Sequence, residues 1–166
     1  MHISLNRQEK PASGGTDGPL QSVHSVLLVH DEPHAFRALE ETLKGRGIDT
    51  RRARRCADVP RILRQPSAID LVLTDALLDD GTWKDVIRLV RKRAQSTPVI
   101  VMSRVVSMRL YLDTQDGGAA DFIVPPMAPR DLDYALTTAM HRRHPAGIAG
   151  APAPARPDQG SQPAMS

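Results

Sequence analysis

Two short runs of branched apolar residues, each closed by an acid, constrain this chain more than any other feature. Val26-Leu27-Leu28-Val29 stops at His30-Asp31-Glu32, and Ile69-Asp70-Leu71-Val72-Leu73-Thr74 stops at Asp75. Runs this short, rich in Val, Ile and Leu and separated by a helical stretch, read as strands buried on both faces of a parallel sheet. Parallel strands require crossover connections, and open sheets of this kind gather ligands at the carboxyl ends of their strands. Asp31 and Asp75 are therefore expected at one sheet edge.

The rest of the chain alternates in the same way. Residues 34 to 46 read as a helix, with Ala35, Leu39, Thr42 and Leu43 on one face and Arg37, Glu40, Glu41 and Lys44 opposite; Gly45 and Gly47 stop it. Residues 48 to 54 form an Arg-rich second strand that suits a sheet edge, where charge discourages pairing with other chains. A short helix is expected over 57 to 65 with Ala57, Ile62 and Leu63 inward, then a third strand over 69 to 75 and a loop at Asp79-Asp80-Gly81. A helix over 82 to 94 carries Val86, Ile87, Leu89 and Val90, and Pro98 opens a fourth strand, Val99-Ile100-Val101-Met102. A looser amphipathic stretch over 106 to 116 leads through Gly117-Gly118 to a fifth strand at 120 to 124, and a last helix over about 130 to 143 turns Leu132, Ala135, Leu136 and Ala139 inward. Right-handed crossovers make this a doubly wound α/β fold, a five-stranded parallel sheet of order 2-1-3-4-5 with five flanking helices. In that order Asp31, Asp75 and Ser103 converge.

Composition bounds the alternatives. Residues 1 to 22 and 145 to 166 are rich in Pro, Gly, Ala and Ser and too poor in apolar surface to offset the entropy of ordering them. They are expected to be flexible tails around one domain over 23 to 144, with no output domain after it. No signal-length or membrane-spanning apolar stretch occurs, so a cytoplasmic chain without membrane contact is expected. Cys56 is the only cysteine, which rules out an internal disulfide and reads as a small filler at a strand-helix junction. A net charge of +3 and the cluster Arg51, Arg52, Arg54 and Arg55 raise a nucleic-acid partner, but with 3% aromatics stacking platforms are scarce, and a solvated basic face is the better reading. No Walker-type phosphate loop or nucleophilic triad order is present, so ordinary small-molecule catalysis is not expected.

Two carboxylates at one sheet edge suit a magnesium-assisted phosphoryl acceptor. A carboxylate attacking phosphorus in line needs charge neutralised on the transferred oxygens, and magnesium prefers hard oxygen ligands. Asp31 and Asp75 offer two such ligands, the backbone carbonyl of Leu77 a third, and the Ser103 hydroxyl a hydrogen bond to the phosphoryl group. At this point four pieces in order, SVLLVHDEP, DLVLTDALLDDG, PVIVMS and GGAADFIVPP, resemble the receiver domain of two-component response regulators from about Val23 to His144. The resemblance implies a flavodoxin-like fold and phosphorylation of Asp75 by a histidine kinase or phosphotransfer protein. It also implies Asp31 as magnesium ligand, Ser103 as switch hydroxyl, Phe122 as switch aromatic, and signalling through contacts with a downstream protein. At most, the domain would promote magnesium-dependent phosphorylation and dephosphorylation of its own Asp75.

Several positions depart from that pattern. His30 replaces the first acid of the pair ending strand one; it takes the acidic slot or, less simply, joins a metal with Asp31 or His34. Pro125 stands where the family has a lysine that contacts the phosphoryl group; Pro126 keeps the family's proline, and the resemblance raises a cis bond between them. Arg104 follows the switch hydroxyl where a small residue is usual, and it either folds back as the substitute cation or points to solvent. Trp83 replaces a common glycine and is either core or a partner anchor. His141 and His144 flank Arg142-Arg143 as a charged helix end. These losses keep a second reading open, a phosphorylation-independent pseudo-receiver that binds partners through its fold.

Overall fold

A computed structural model describes residues 23–32, 36–94 and 96–142. The expected tails, together with His34, Ala35 and His144, lie outside these residues. The elements in chain order are β1 (Ser25–Val29), α1 (Arg37–Gly45), β2 (Asp49–Ala53), a 3-10 turn (Cys56–Asp58) running into α2 (Val59–Leu63), β3 (Leu71–Asp75), β4 (Leu77–Leu78), β5 (Gly81–Thr82), α3 (Trp83–Arg93), β6 (Val99–Met102), α4 (Met108–Asp116), β7 (Asp121–Ile123) and α5 (Pro129–His141).

The main sheet runs β2-β1-β3-β6-β7, all parallel. With the two-residue β4 and β5 set aside, this is the expected 2-1-3-4-5 order. Alternation along each central strand divides the interior into two layers. Val26, Leu28, Leu71, Leu73, Ile100 and Met102 face α1 and α5, where Leu43, Leu132 and Leu136 complete one core. Leu27, Val29, Val72, Val99 and Val101 face the other side and pack with Val59, Val86 and Val90. Both faces are apolar because both are covered, which is why the runs did not alternate with polar residues.

Salt bridges and backbone hydrogen bonds then fix the frame. Arg46 grips Asp133 with two bonds, Nε to Oδ1 at 2.6 Å and Nη2 to Oδ2 at 3.1 Å, and so ties the end of α1 to α5. Asp70 Oδ2 accepts from the N–H groups of His24 and Ser25 at 2.8 and 3.1 Å, anchoring the entry to β1. The peptide bond between Pro125 and Pro126 is cis.

Two local expectations need correction. Glu40 is not on a solvent face: it is 6% exposed. The neighbouring Arg-rich edge strand explains why, since Arg52, Thr50 and Lys44 all bring donors to its carboxylate. The helix expected over 57 to 65 is a 3-10 turn over Cys56–Asp58 followed by a shorter α2 that buries Val59 and Ile62, leaving Ala57 exposed and Leu63 half-buried. The cause lies far along the chain, because Asp80 accepts from the N–H groups of Cys56 and Ala57 at 2.8 and 3.0 Å and sets where the turn starts. Asp79 and Asp80 are turn residues, as expected, and join the two strands of a small antiparallel β4-β5 hairpin. Of the two readings open for Trp83 the core one holds, since the side chain is 4% exposed.

Candidate functional site

Register places the site. Val29 pairs with Thr74 and Asp75 with Met102, so the ends of β1, β3 and β6 open together at one edge. Asp31 follows the first strand, Asp75 closes the second and Ser103 follows the third. Asp75 is half-buried, and its carboxyl is pushed up to about 7, first by burial, then by the negative charge of Asp31, with Arg104 pulling the other way and Glu32 adding to the rise. Paired, partly desolvated carboxylates of this kind favour a nearby cation. The donor set suits magnesium: two carboxylates and backbone carbonyl oxygen are hard ligands. Among the described residues no cluster of three or more His, Cys, Asp and Glu side chains forms a metal cage.

His30 is buried beside the site. Its ring is 5% exposed, lies 4.5 Å from the Phe36 ring centroid, and its Nδ1 is 3.1 Å from the Glu32 carbonyl. Its Nε2 has no hydrogen-bond partner among the described residues. Burial holds the imidazole below the ordinary histidine value against the pull of the Glu32 carbonyl, so the neutral ring prevails at neutral pH. The site thus loses one negative charge without gaining a positive one.

Arg104 neither folds onto Asp75 nor points freely to solvent. Its Nη1 lies 2.5 Å from Glu32 Oε2, bridging the loops after β6 and β1, and its charge acts on the Asp75 carboxyl. Pro125 helps to wall an apolar pocket of about 270 Å³ beside the site, where Phe36, Leu39, Met127 and Leu132 are neighbours and Arg104 stands at the rim. Where a lysine is usual, this chain therefore presents apolar surface. Ser103 Oγ is engaged with its own loop, donating to the Val105 carbonyl at 3.0 Å and accepting from the Val105 N–H at 3.2 Å. Phe122, half-buried on β7, meets Tyr111 of α4 edge to face at 6.1 Å.

Glu32 and Tyr111 were not singled out from the sequence. Glu32 sat in the quoted HDEP piece, but only its contact with a residue from another loop gives it meaning. His141 is exposed at the end of α5, with Nδ1 2.8 Å from the Thr137 carbonyl, as a charged helix end predicts. Cys56 is buried, and burial together with the nearby Asp80 pushes its thiol up to about 11, the behaviour of an inert filler. Among the described residues no helix is long and apolar enough to cross a membrane.

Comparison with known proteins agrees with this geometry. Residues 26–137 match the family model of the response regulator receiver domain. The chain is similar to the response regulator protein PilR of Pseudomonas aeruginosa, 34% identical over 125 residues that cover 75% of this chain and 28% of that protein. It is also similar to the swarming motility regulation protein RssB of Serratia marcescens, 29% identical over 119 residues, covering 72% of this chain and 53% of the other. The chain thus spans only part of the length of these relatives. Among solved structures, a putative response regulator from Chloroflexus aurantiacus superposes with a TM-score of 0.65 at 22% identity, over 72% of this chain and 99% of that one. The chemotaxis protein CheY4 of Vibrio cholerae gives 0.62 at 20% identity, over 71% and 99%. The parallel sheet of order β2-β1-β3-β6-β7, the carboxylates at its edge and the match over most of the domain lead to one conclusion: the chain belongs to the response regulator receiver domain family of two-component signalling.

Proposed function

We propose that Asp75 accepts a phosphoryl group from the phosphohistidine of a histidine kinase or phosphotransfer protein, and that this cytoplasmic domain then signals through protein contacts. What supports the reading is the pairing of Asp75 with Asp31 at the carboxyl edge of β3 and β1 in a receiver-family chain. In the transfer, an Asp75 carboxylate oxygen bonds to phosphorus as the phosphorus–nitrogen bond of the donor breaks. The donor imidazole leaves with the bonding pair. Asp31, Asp75 and the Leu77 carbonyl are the groups that would hold magnesium, which supplies charge neutralisation on the transferred oxygens when bound. Arg104 supplies the further positive charge that Pro125 cannot, exchanging Glu32 for a phosphoryl oxygen.

The same exchange carries the signal. Ser103 gives up the Val105 carbonyl and donates to the phosphoryl group, Phe122 turns inward from Tyr111, and the surface of α4, β7 and α5 changes for an unidentified downstream protein. Chemistry by this domain is confined to its own Asp75.

Intact-mass measurement after incubation with magnesium and acetyl phosphate tests the proposal. The expected result is one phosphoryl adduct, absent from Asp75→Asn. A folded protein that takes no adduct would refute it and favour the phosphorylation-independent binding module, the reading to which Pro125 and the neutral His30 lend weight.

A further inference from the structure

The exposed side of α3 carries a row of cations that the phosphoryl chemistry does not use. Lys84, Arg88, Arg91 and Lys92 border a shallow concavity of about 700 Å³ that reaches Gly117. Arg91 also borders a deeper cavity of about 510 Å³, shared with Thr97, Pro98, Ala119 and Arg142 and backed by Ile87 and Val99. Val99 begins β6 whereas Asp75 pairs with its last residue, so this cavity lies at the opposite end of the sheet from the acceptor.

Most of this charge is uncompensated. Arg88 pairs with Asp85 at 3.0 Å. Among the described residues, Arg91 and Arg142 reach only backbone carbonyls, of Gly118 at 3.4 Å and Ala120 at 3.0 Å. Lys84 Nζ stands 5.3 Å from the Trp83 ring centroid. Neither Lys84 nor Lys92 has an acidic partner among the described residues. The helix dipole accounts for Arg91, Lys92 and Arg93 in the last turn, but it opposes Lys84 in the first. Lys84, Arg88 and Arg91 fall at i, i+4 and i+7, one stripe along roughly 10 Å of helix.

We infer that this surface binds an acidic, amphipathic protein segment, with carboxylates on the Lys84-Arg88-Arg91 stripe and on Arg142 and an apolar side chain in the cavity between Arg91 and Arg142. The site is prepared for it. Gly118 has φ +82°, and a Cβ there would come within 1.9 Å of Arg91 Nη2, so only glycine lets the guanidinium lie across this turn at the cavity's edge. A protein segment fits better than nucleic acid, because a phosphodiester chain has no apolar side chain for the cavity. The one aromatic of α3, Trp83, is buried and cannot stack on bases.

The test is a titration of the isotope-labelled full chain with a helical-repeat peptide of Glu and Leu, followed by amide shifts and anisotropy. A Glu-Ser peptide of equal charge and a DNA duplex serve as competing probes. Shifts should centre on Arg91, Val99, Ala119 and Arg142, and the Glu-Ser peptide should bind more weakly. Affinity should fall at least ~tenfold in Arg91→Glu/Arg142→Glu and in Lys84→Glu/Lys92→Glu, the second of which removes no backbone hydrogen bond. Unchanged affinity in both variants, or no shift at this surface, would overturn the inference. So would a duplex that binds here while the peptide does not.

Discussion

Removing the Arg104 guanidinium should separate two contributions that the structure places on one side chain. As half of an ion pair with Glu32 it counts for little: Arg104 and Glu32 side chains are 64% and 48% exposed, and pairs this wet contribute about 0.2–1 kcal/mol. Arg104→Ala should therefore shift the urea midpoint only slightly. As a cation offered to a phosphoryl group it counts for more. A unit charge at about 4 Å contributes roughly 1 kcal/mol in water and about 4 kcal/mol at an effective dielectric of 20. The half-buried Asp75 edge lies between these limits, so affinity for beryllofluoride in the presence of magnesium should fall about tenfold or more. Arg104→Lys should restore part of it, because an ammonium supplies the charge without the planar fork. Glu32→Gln should act in the opposite direction, strengthening beryllofluoride binding by up to about fivefold as the competing partner is lost. Isothermal titration of the four proteins, with denaturant melts as control, provides the measurement. If Arg104→Ala bound the phosphoryl mimic as tightly as the parent, the substitution of this arginine for the absent lysine would be wrong.

Other expectations rest on the frame. Gly117→Ala places a Cβ 2.3 Å from the Trp83 ring and should cost about 1–3 kcal/mol, with a shift in the emission of this single tryptophan. Glu40→Ala removes a buried carboxylate from Arg52, Thr50 and Lys44 and should lower stability by about 1–2 kcal/mol in urea melts. The Thr82 N–H holds Asp85 below the usual carboxylate range, so its folded value is the lower one and its stabilisation is present above about pH 4 and lost as pH falls through that lower value. The stability gap between the parent and Asp85→Asn should accordingly be full at neutral pH and close on acidification; a gap that widens in acid would contradict the sign. Cys56, raised from 9.0 to about 11, should be alkylated on the order of a hundredfold more slowly at pH 8 than in the unfolded chain.

Strand identity and order were legible because they follow from local rules. A run such as Val99-Ile100-Val101-Met102 has no amphipathic option, and its bounds came out as read. The four crossovers then left few topologies, and the ends of β1, β3 and β6 had to meet. Asp31, Asp75 and Ser103 could thus be placed at one edge from spacing alone, and the inward residues of α5 could be read from its period. Glu40 could not, since a helical wheel treats every acid as solvent-facing until an arginine from another strand meets it. The 3-10 turn ahead of α2 was likewise hidden, because Asp80, more than twenty residues on, holds the N–H groups of Cys56 and Ala57.

By itself, then, the sequence determined which segments are strands and helices, the order of the sheet and which carboxylates share its edge, because periodicity and chain crossing act without knowledge of distant neighbours. The tertiary structure alone decided what each side chain near that edge does. Arg104 met Glu32, His30 was buried and kept neutral against Phe36, and Trp83 became core, because partners at long separation in the chain set charge and burial, and no local pattern encodes them.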